Sequence, residues 1–376
     1  MKRLLCVAGV ALLLAACGKK EKPDEPARLL DINTTLKVQG AWSAAESDEP
    51  KQRSGLGIGL AGGSVYIAGA KGTVEALQLA TGHSRWRTDT KAPLSAGPGA
   101  GAQLVVVGSA KGEVIALDAG SGAVKWRVKV GSELLSAPAV TDDLVVVRTI
   151  DGKLRCLEAK TGAQRWLTDQ QMPRLMLRGN APPLISGDMV LQPFDNGRLV
   201  AVALGSGTTL WDTAISQAHG SSELARLVDL DSAARVDGDD IFVVGYQGRV
   251  ARVARDTGQI IWAKDLSSYR GLAIDGDSVY VSTATGEIVK LDRSSGAEVW
   301  NQGLLKRRQL SAPAVGGGHV VVADLEGVVH WLNASDGRFV ARQKVGERVS
   351  AAPAYANGLW LVRSDKGSLR AFKTPG

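Results

Sequence analysis

Along the chain, short apolar stretches are broken at regular intervals by polar turns that contain glycine. Residues 111–126, KGEVIALDAGSGAVKW, show the unit in full. A Lys-Gly pair opens it, a strand follows, an Asp-x-x-Ser-Gly turn reverses direction, and Trp126 closes it. From Gly112 to Trp126 is fourteen residues. The same offset separates Gly72 from Trp86, Gly152 from Trp166, Gly197 from Trp211, Gly248 from Trp262 and Gly286 from Trp300. A seventh copy starts at Gly327 and has Ala341 at the tryptophan position; an eighth starts at Gly367. Successive glycines stand 40, 40, 45, 51, 38, 41 and 40 residues apart.

A fixed period near forty residues with several short strands per copy is the signature of a β-propeller. The third copy reads as four strands: SAPAV (136–140), DLVVVRT (143–149), KLRCLEA (153–159) and QRWLT (164–168). The paired glycines supply the positive φ of a tight hairpin. The later ones (Gly122, Gly162, Gly258, Gly296) suit the left-handed position of a three-residue turn. One blade cannot bury both faces of its sheet, so the recurring tryptophan reads as packing between blades. The fold expected is all-β, an eight-bladed propeller of four-stranded blades. The last copy has only three strands (AAPAY, GLWLVRS, SLRAFK). The unrepeated strand LKVQGAW (36–42) is therefore predicted to supply the fourth and close the ring, with Trp42 as its packing tryptophan.

The N-terminus does not belong to this pattern. Lys2 and Arg3 precede the apolar run Leu4–Leu14, and Leu14-Ala15-Ala16-Cys17 follows. Residues 1–16 thus read as a secretory leader. Residues 17–35, charged and proline-containing with no apolar period, read as a flexible tether to a propeller over 36–376.

A net charge of +7 raises the question of nucleic acid. The basic residues are scattered among acidic ones without an aromatic-basic stripe, so no nucleic-acid partner is expected. Of three cysteines, Cys6 falls in the leader and Cys17 at its end, which leaves Cys156 alone in an inward-patterned strand as inert packing. No catalytic residue, metal site or cofactor is expected. His83, His219, His319 and His330 are scattered along the chain, none at ligand spacing to another. Gly57 to Gly62 matches GxGxxG with no helix after it. Asp229-Leu230-Asp231 resembles the start of a calcium loop, but Ala234 stands where the sharp-turn glycine is required.

Two departures from the repeat carry more information. Most connections from a tryptophan to the next blade's second strand run about thirteen to sixteen residues; after Trp166 there are about twenty, and after Trp211 about twenty-six. The extra segments, 171–183 and 215–234, follow adjacent blades and are expected on one rim. Leu175, Met176 and Leu177 are three apolar loop residues beside Arg178, the pattern of a protein-docking patch.

The Leu-Ala-Ala-Cys tetrad resembles the lipobox of bacterial lipoproteins, which implies that Cys17 is lipidated and, with Gly18 after it, delivered to the outer membrane. That tetrad, the repeats of the form A-x-D-x-x-[ST]-G-x-x-x-W, and the connectors LMLRG (175–179) and SELARLVDLD (222–231) together resemble the BamB family of the outer-membrane β-barrel assembly machinery. The resemblance covers the whole mature chain. It implies a non-catalytic lipoprotein on the periplasmic face of the outer membrane that binds the barrel subunit BamA through its POTRA domains and assists insertion of outer-membrane proteins. Carried over by motif, the contacts are Leu175, Leu177, Arg178, Asp229 and Asp231. Ala341 departs from the repeat and weakens one blade contact. Outer strand edges are also open to β-augmentation by an unfolded client, though no residue pattern demands it. The alternative is a quinone (PQQ)-dependent dehydrogenase, since those enzymes use the same tryptophan-bearing blades. They resemble longer chains with an adjacent cysteine pair, which is absent here.

Overall fold

The structure, a computed structural model, describes residues 25–45, 56–170, 181–216 and 228–375. Its strands form eight antiparallel four-stranded sheets, each in simple sequential order except the last. Blade 2 is typical: Leu94–Ala100, Leu104–Ser109, Glu113–Asp118 and Val124–Lys129. Its second and third strands are buried on both faces and read as runs of Val, Ile, Leu and Ala. The fourth alternates, burying Trp126 and exposing its neighbours. Adjacent blades meet through their first strands, which places those strands at the centre of a ring and the fourth strands at its outer wall. Gly59–Ala61, the heart of the GxGxxG match, is the first strand of blade 1 and not a phosphate loop.

The tryptophan is the contact on which the ring is built. Its indole lies on the glycine of the next blade's third-to-fourth-strand turn. A Cβ at Gly122 would come 2.4 Å from Trp86, one at Gly162 2.7 Å from Trp126, and one at Gly296 2.8 Å from Trp262. These glycines also have φ of 73°, 75° and 71°, with a bulge in the strand pair beside each. So the residue type is required twice, by backbone conformation and by the ring above it. Each Nε1–H then donates to a carbonyl of the same turn: Trp42 to Leu79 at 3.0 Å, Trp86 to Ala119 at 2.9 Å, Trp126 to Ala159 at 2.7 Å, and likewise Trp166, Trp211, Trp262 and Trp300.

Seven junctions are made this way, and the eighth, from blade 7 to blade 8, is different. Blade 8 pairs Leu369–Lys373 with Gln39–Ala44 from the N-terminus, as the sequence predicts. Its third and fourth strands therefore share no turn, and there is neither a glycine to receive an indole nor a carbonyl for its N–H. Ala341 stands where that tryptophan would have no seat. Trp331, opposite Ala341 on the neighbouring strand, fills the space instead and meets Phe372 of blade 8 edge-on at 5.6 Å. Arg363 of blade 8 completes the ring by donating to the carbonyls of Leu56 and Gly57 ahead of blade 1 and of Ala68 within it.

The tether expected over 17–35 needs correction at its C-terminal end. From Ala27 on, the chain is a strap laid across blade 7. Ala27 N–H donates to Lys306 (2.9 Å), Arg308 Nη1 donates to the Ala27 carbonyl (2.9 Å), and Arg342 donates to the Leu30 carbonyl. Thr35 and Leu36 N–H both donate to Val340 (3.0 and 3.1 Å). Leu29, Leu36 and Val38 pack on the cores of blades 6 to 8. Beneath the strap, buried Arg308 donates to Asp324 (2.7 Å), and His330 Nε2 lies 3.0 Å from the same carboxylate. Arg342 Nε donates to His330 Nδ1, so the ring is the neutral tautomer with its proton on Nε2. Burial lowers the His330 pKa in the same sense. Hydrophobic periodicity could not show the strap, because its grip is through backbone groups and two arginines.

Two outcomes follow. Gly162→Ala is expected to cost about 2–4 kcal/mol, from a left-handed Cβ plus the clash with Trp126, whereas Gly205→Ala, with nothing within 4 Å, is nearly neutral. Urea unfolding of both variants checks this; equal midpoints would remove the indole–glycine contact as the organising interaction. Deleting 25–35 is expected to lower the thermal midpoint well below that of a chain lacking only 18–24. Matching melting curves would mean that the strap contributes nothing.

Candidate docking rim

Antiparallel order puts two kinds of loop on each rim. On one rim, the turn between second and third strands is bonded to the connector leaving the same blade: Thr90 N–H to Gly72 (2.8 Å), Val130 to Gly112 (2.8 Å), Val345 to Gly327 (2.8 Å). The other rim holds the remaining turns, as in Leu79 N–H to Gly63 (3.0 Å). The connectors after blades 3 and 4 therefore flank the blade-4 turn on a single rim.

Leu175, Leu177 and Arg178 lie outside the described residues, as does Cys17. Asp229 and Asp231 are described, and their settings differ. The Asp229 backbone bridges to blade 5, with Tyr246 N–H donating to its carbonyl at 2.7 Å. Its side chain is 0% exposed, and the group that meets its carboxyl is the neighbouring acid Asp231, with which it can share a proton. Asp231 is half-buried. So the two acids differ in burial: Asp229 is sealed, and Asp231 keeps part of its surface exposed.

A residue missed in the sequence completes this setting. Asp195, in the turn after Met189–Pro193 of blade 4, is buried and forms an ion pair with Arg148 at 2.7 Å. Arg148 ends the second strand of blade 3, and its guanidinium lies 5.2 Å from the centre of the Phe194 ring. One carboxylate oxygen from each of Asp195, Asp229 and Asp231 lies within 4.8 Å of the other two. Burial above all, then the charges of Asp231 and Asp195, push the Asp229 carboxyl up to about 9, with Arg148 opposing. A signal for Asp195 did exist. Two residues before each repeat glycine stand Ala70, Ala110, Ile150, Asp195, Tyr246, Ala284, Leu325 and Asp365. An acid in that mostly apolar column marks blades 4 and 8 as exceptions. At blade 8, Asp365 is bound by Ser350 N–H at 2.8 Å, so it is already satisfied.

Cys156 is fully buried, and burial pushes its thiol up to about 11, which removes it as a nucleophile.

The family model for outer membrane protein assembly factor BamB matches residues 70–302 and 284–375. The chain belongs to the BamB family. It is 44% identical over 370 residues to the assembly factor BamB of Pseudomonas aeruginosa, covering 96% of this chain and 97% of that one. The BamB of Alkalilimnicola ehrlichii is 43% identical over 376 residues, covering 99% and 97%. Among solved structures, BamB from Moraxella catarrhalis superposes with a TM-score of 0.83 at 26% identity, over 90% of this chain and 100% of that one. A quinohemoprotein alcohol dehydrogenase from Comamonas testosteroni superposes at 0.71 with 13% identity, over 89% and 76%, a likeness of fold alone.

The raised Asp229 pKa fixes a sign. The folded chain holds this proton up to about pH 9, whereas the unfolded carboxyl loses it near 3.8. Between those values the folded state binds more protons, so this group's contribution is largest below pH 4 and falls as pH rises. Asp229→Asn, which mimics the neutral acid, is expected to gain on wild type by up to about 1.4 kcal/mol per pH unit within that window. Urea unfolding at pH 5 and pH 8, with divalent ions chelated, measures it; a pH-independent difference would contradict the buried-proton reading.

Proposed function

We propose that the chain binds the periplasmic POTRA domains of the barrel subunit BamA with the rim of blades 3 to 5. In this reading a lipid on Cys17 anchors it to the periplasmic face of the outer membrane, where it acts as a non-catalytic scaffold for barrel insertion. Membership of the BamB family carries the reading: the relatives bear the name of an outer-membrane-protein assembly factor. The quinone dehydrogenases match in fold alone, and a buried, inert Cys156 gives no support to the enzyme alternative. The buried polar cluster of blade 4, next to the points where both long connectors join the blades, is in keeping with a rim built for docking.

The strap bears on geometry. From Cys17 to Ala27 is ten residues, roughly 35 Å when extended. A lipid at Cys17 therefore keeps the blade-6 to blade-7 edge, where Ala27 is held, near the membrane. That leaves blades 3 to 5 on a side of the ring free for a partner.

Arg178→Ala and Leu177→Ala are expected to weaken binding to purified POTRA domains by about thirtyfold, roughly 2 kcal/mol each. Their unfolding midpoints should remain those of wild type. Calorimetric titration decides the matter. Wild-type affinity in both variants would remove this rim as the docking surface.

A further inference from the structure

At the centre of the ring, the first strands of blades 5 to 8 enclose a cavity of about 500 Å³. Asp275 and Gly276, in the turn between the first two strands of blade 6, stand at its edge. The cavity thus opens on the rim opposite the long connectors. Its wall is mostly apolar, with Ile274, Pro313, Val315 and Pro353 among the lining residues. Two other lining residues break the repeat. Strand register sets Arg235 opposite Phe242, the third residue of the second strand of blade 5. The equivalent position of the other seven blades holds glycine, alanine or leucine. One step along the strand, Tyr355 of blade 8 faces Trp360, where the other seven blades have an aliphatic residue. Tyr355 packs on Gly316, where a Cβ would come 2.1 Å from its ring, and it stays 37% exposed.

Arg235 makes no hydrogen bond or ion pair among the described residues. Its side chain is open to the cavity, yet the surrounding walls strip enough water from it to lower its pKa. Asp237 on the same strand is taken up by Arg293. A cation that is partly desolvated and unpaired is unfavourable for folding, and small apolar residues serve the ring at this position elsewhere.

We propose that this axial cavity binds a small organic monocarboxylate, with the carboxylate on Arg235 and the apolar part against Tyr355, Ile274 and Pro353. The guanidinium fork matches a carboxylate through two parallel hydrogen bonds. Apolar walls with one or two placed polar groups are the composition of a small-ligand site, and the volume falls within the usual range of about 300–1,000 Å³. Asp275 selects the charge of the ligand. It has no ion-pair partner among the described residues and stands at the lip, so it repels a second negative charge and disfavours a phosphate dianion. The site lies away from the docking rim and does not depend on what that rim meets.

The test is a ligand-observed NMR titration of the full-length protein in detergent with benzoate, and in parallel with inorganic phosphate. Benzoate is expected to fill one saturable site with a Kd of about 1–10 mM, and phosphate to bind more weakly. Arg235→Gln is expected to weaken benzoate by at least about tenfold. Arg249→Gln, which removes an exposed positive charge on the other rim, should bind it as wild type does. Thermal melting gives a second readout. Without benzoate Arg235→Gln should melt at or above wild type, because the charge it removes has no partner, and benzoate should raise the midpoint of wild type alone. The proposal is overturned by any of four results. These are no saturable benzoate binding up to about 20 mM, an equal loss in both variants, phosphate bound as tightly as benzoate, or an Arg235→Gln chain that melts well below wild type and so shows a structural arginine.

Discussion

An indole lying on a glycine turn is the interaction from which the rest of this ring follows. It makes each blade incomplete without the next, since the tryptophan of one fourth strand is buried only by the turn of its neighbour. It also sets the repeat length. The offset between glycine and tryptophan is held at fourteen residues because strand, turn and indole must all reach that turn. The same contact satisfies a buried polar atom, with distances of 2.7–3.2 Å from Nε1 to a turn carbonyl. Phenylalanine would keep the apolar area but leave that carbonyl without its donor.

Closing a ring with a strand from the opposite end of the chain removes one such turn, and the molecule adjusts at that place alone. Ala341 looked like a decayed repeat when judged against seven tryptophans. In the folded ring it is the residue that matches a junction with no turn to cover. The apolar area is restored by Trp331 against Phe372 and by Leu36 and Val38 of the strap. The strap thus has two roles, carrying the chain to its closing strand and sealing the one junction that the repeat does not.

What could be read in the sequence and what could not follow the range of the interactions. Blade number, strand order and closure were legible because they rest on a local period, on turn glycines and on counting strands. The strap was not, because backbone carbonyls gripped by Arg308 and Arg342 leave no trace in hydropathy, and charged residues before a domain look like a tether. Asp229 and Asp231 were legible as special but not as different from one another. Only the ring shows that one is sealed and the other half-buried. Asp195 required knowing that the second turn of a blade lies beside the connector leaving that same blade. Given that rule, an acid in an apolar column of the repeats would have pointed to it.

The rim shows how a repeat architecture acquires a specific surface. Seven of the eight turns in that column are apolar or, at Asp365, already satisfied, and they serve only the ring. At blade 4 the turn carries an acid, the preceding blade answers with Arg148, and the connector that follows adds two more carboxyls. Burying such groups is unfavourable for folding, and the Asp229 carboxyl pushed up to about 9 is the direct sign of it. A propeller that needed only to be stable would place apolar residues there, as six of the other seven blades do. Among the described residues this three-carboxyl cluster occurs at blade 4 alone, the blade that the two longest connectors precede and follow. That coincidence supports the proposal that the rim of blades 3 to 5 serves recognition while the rest of the repeat serves the ring.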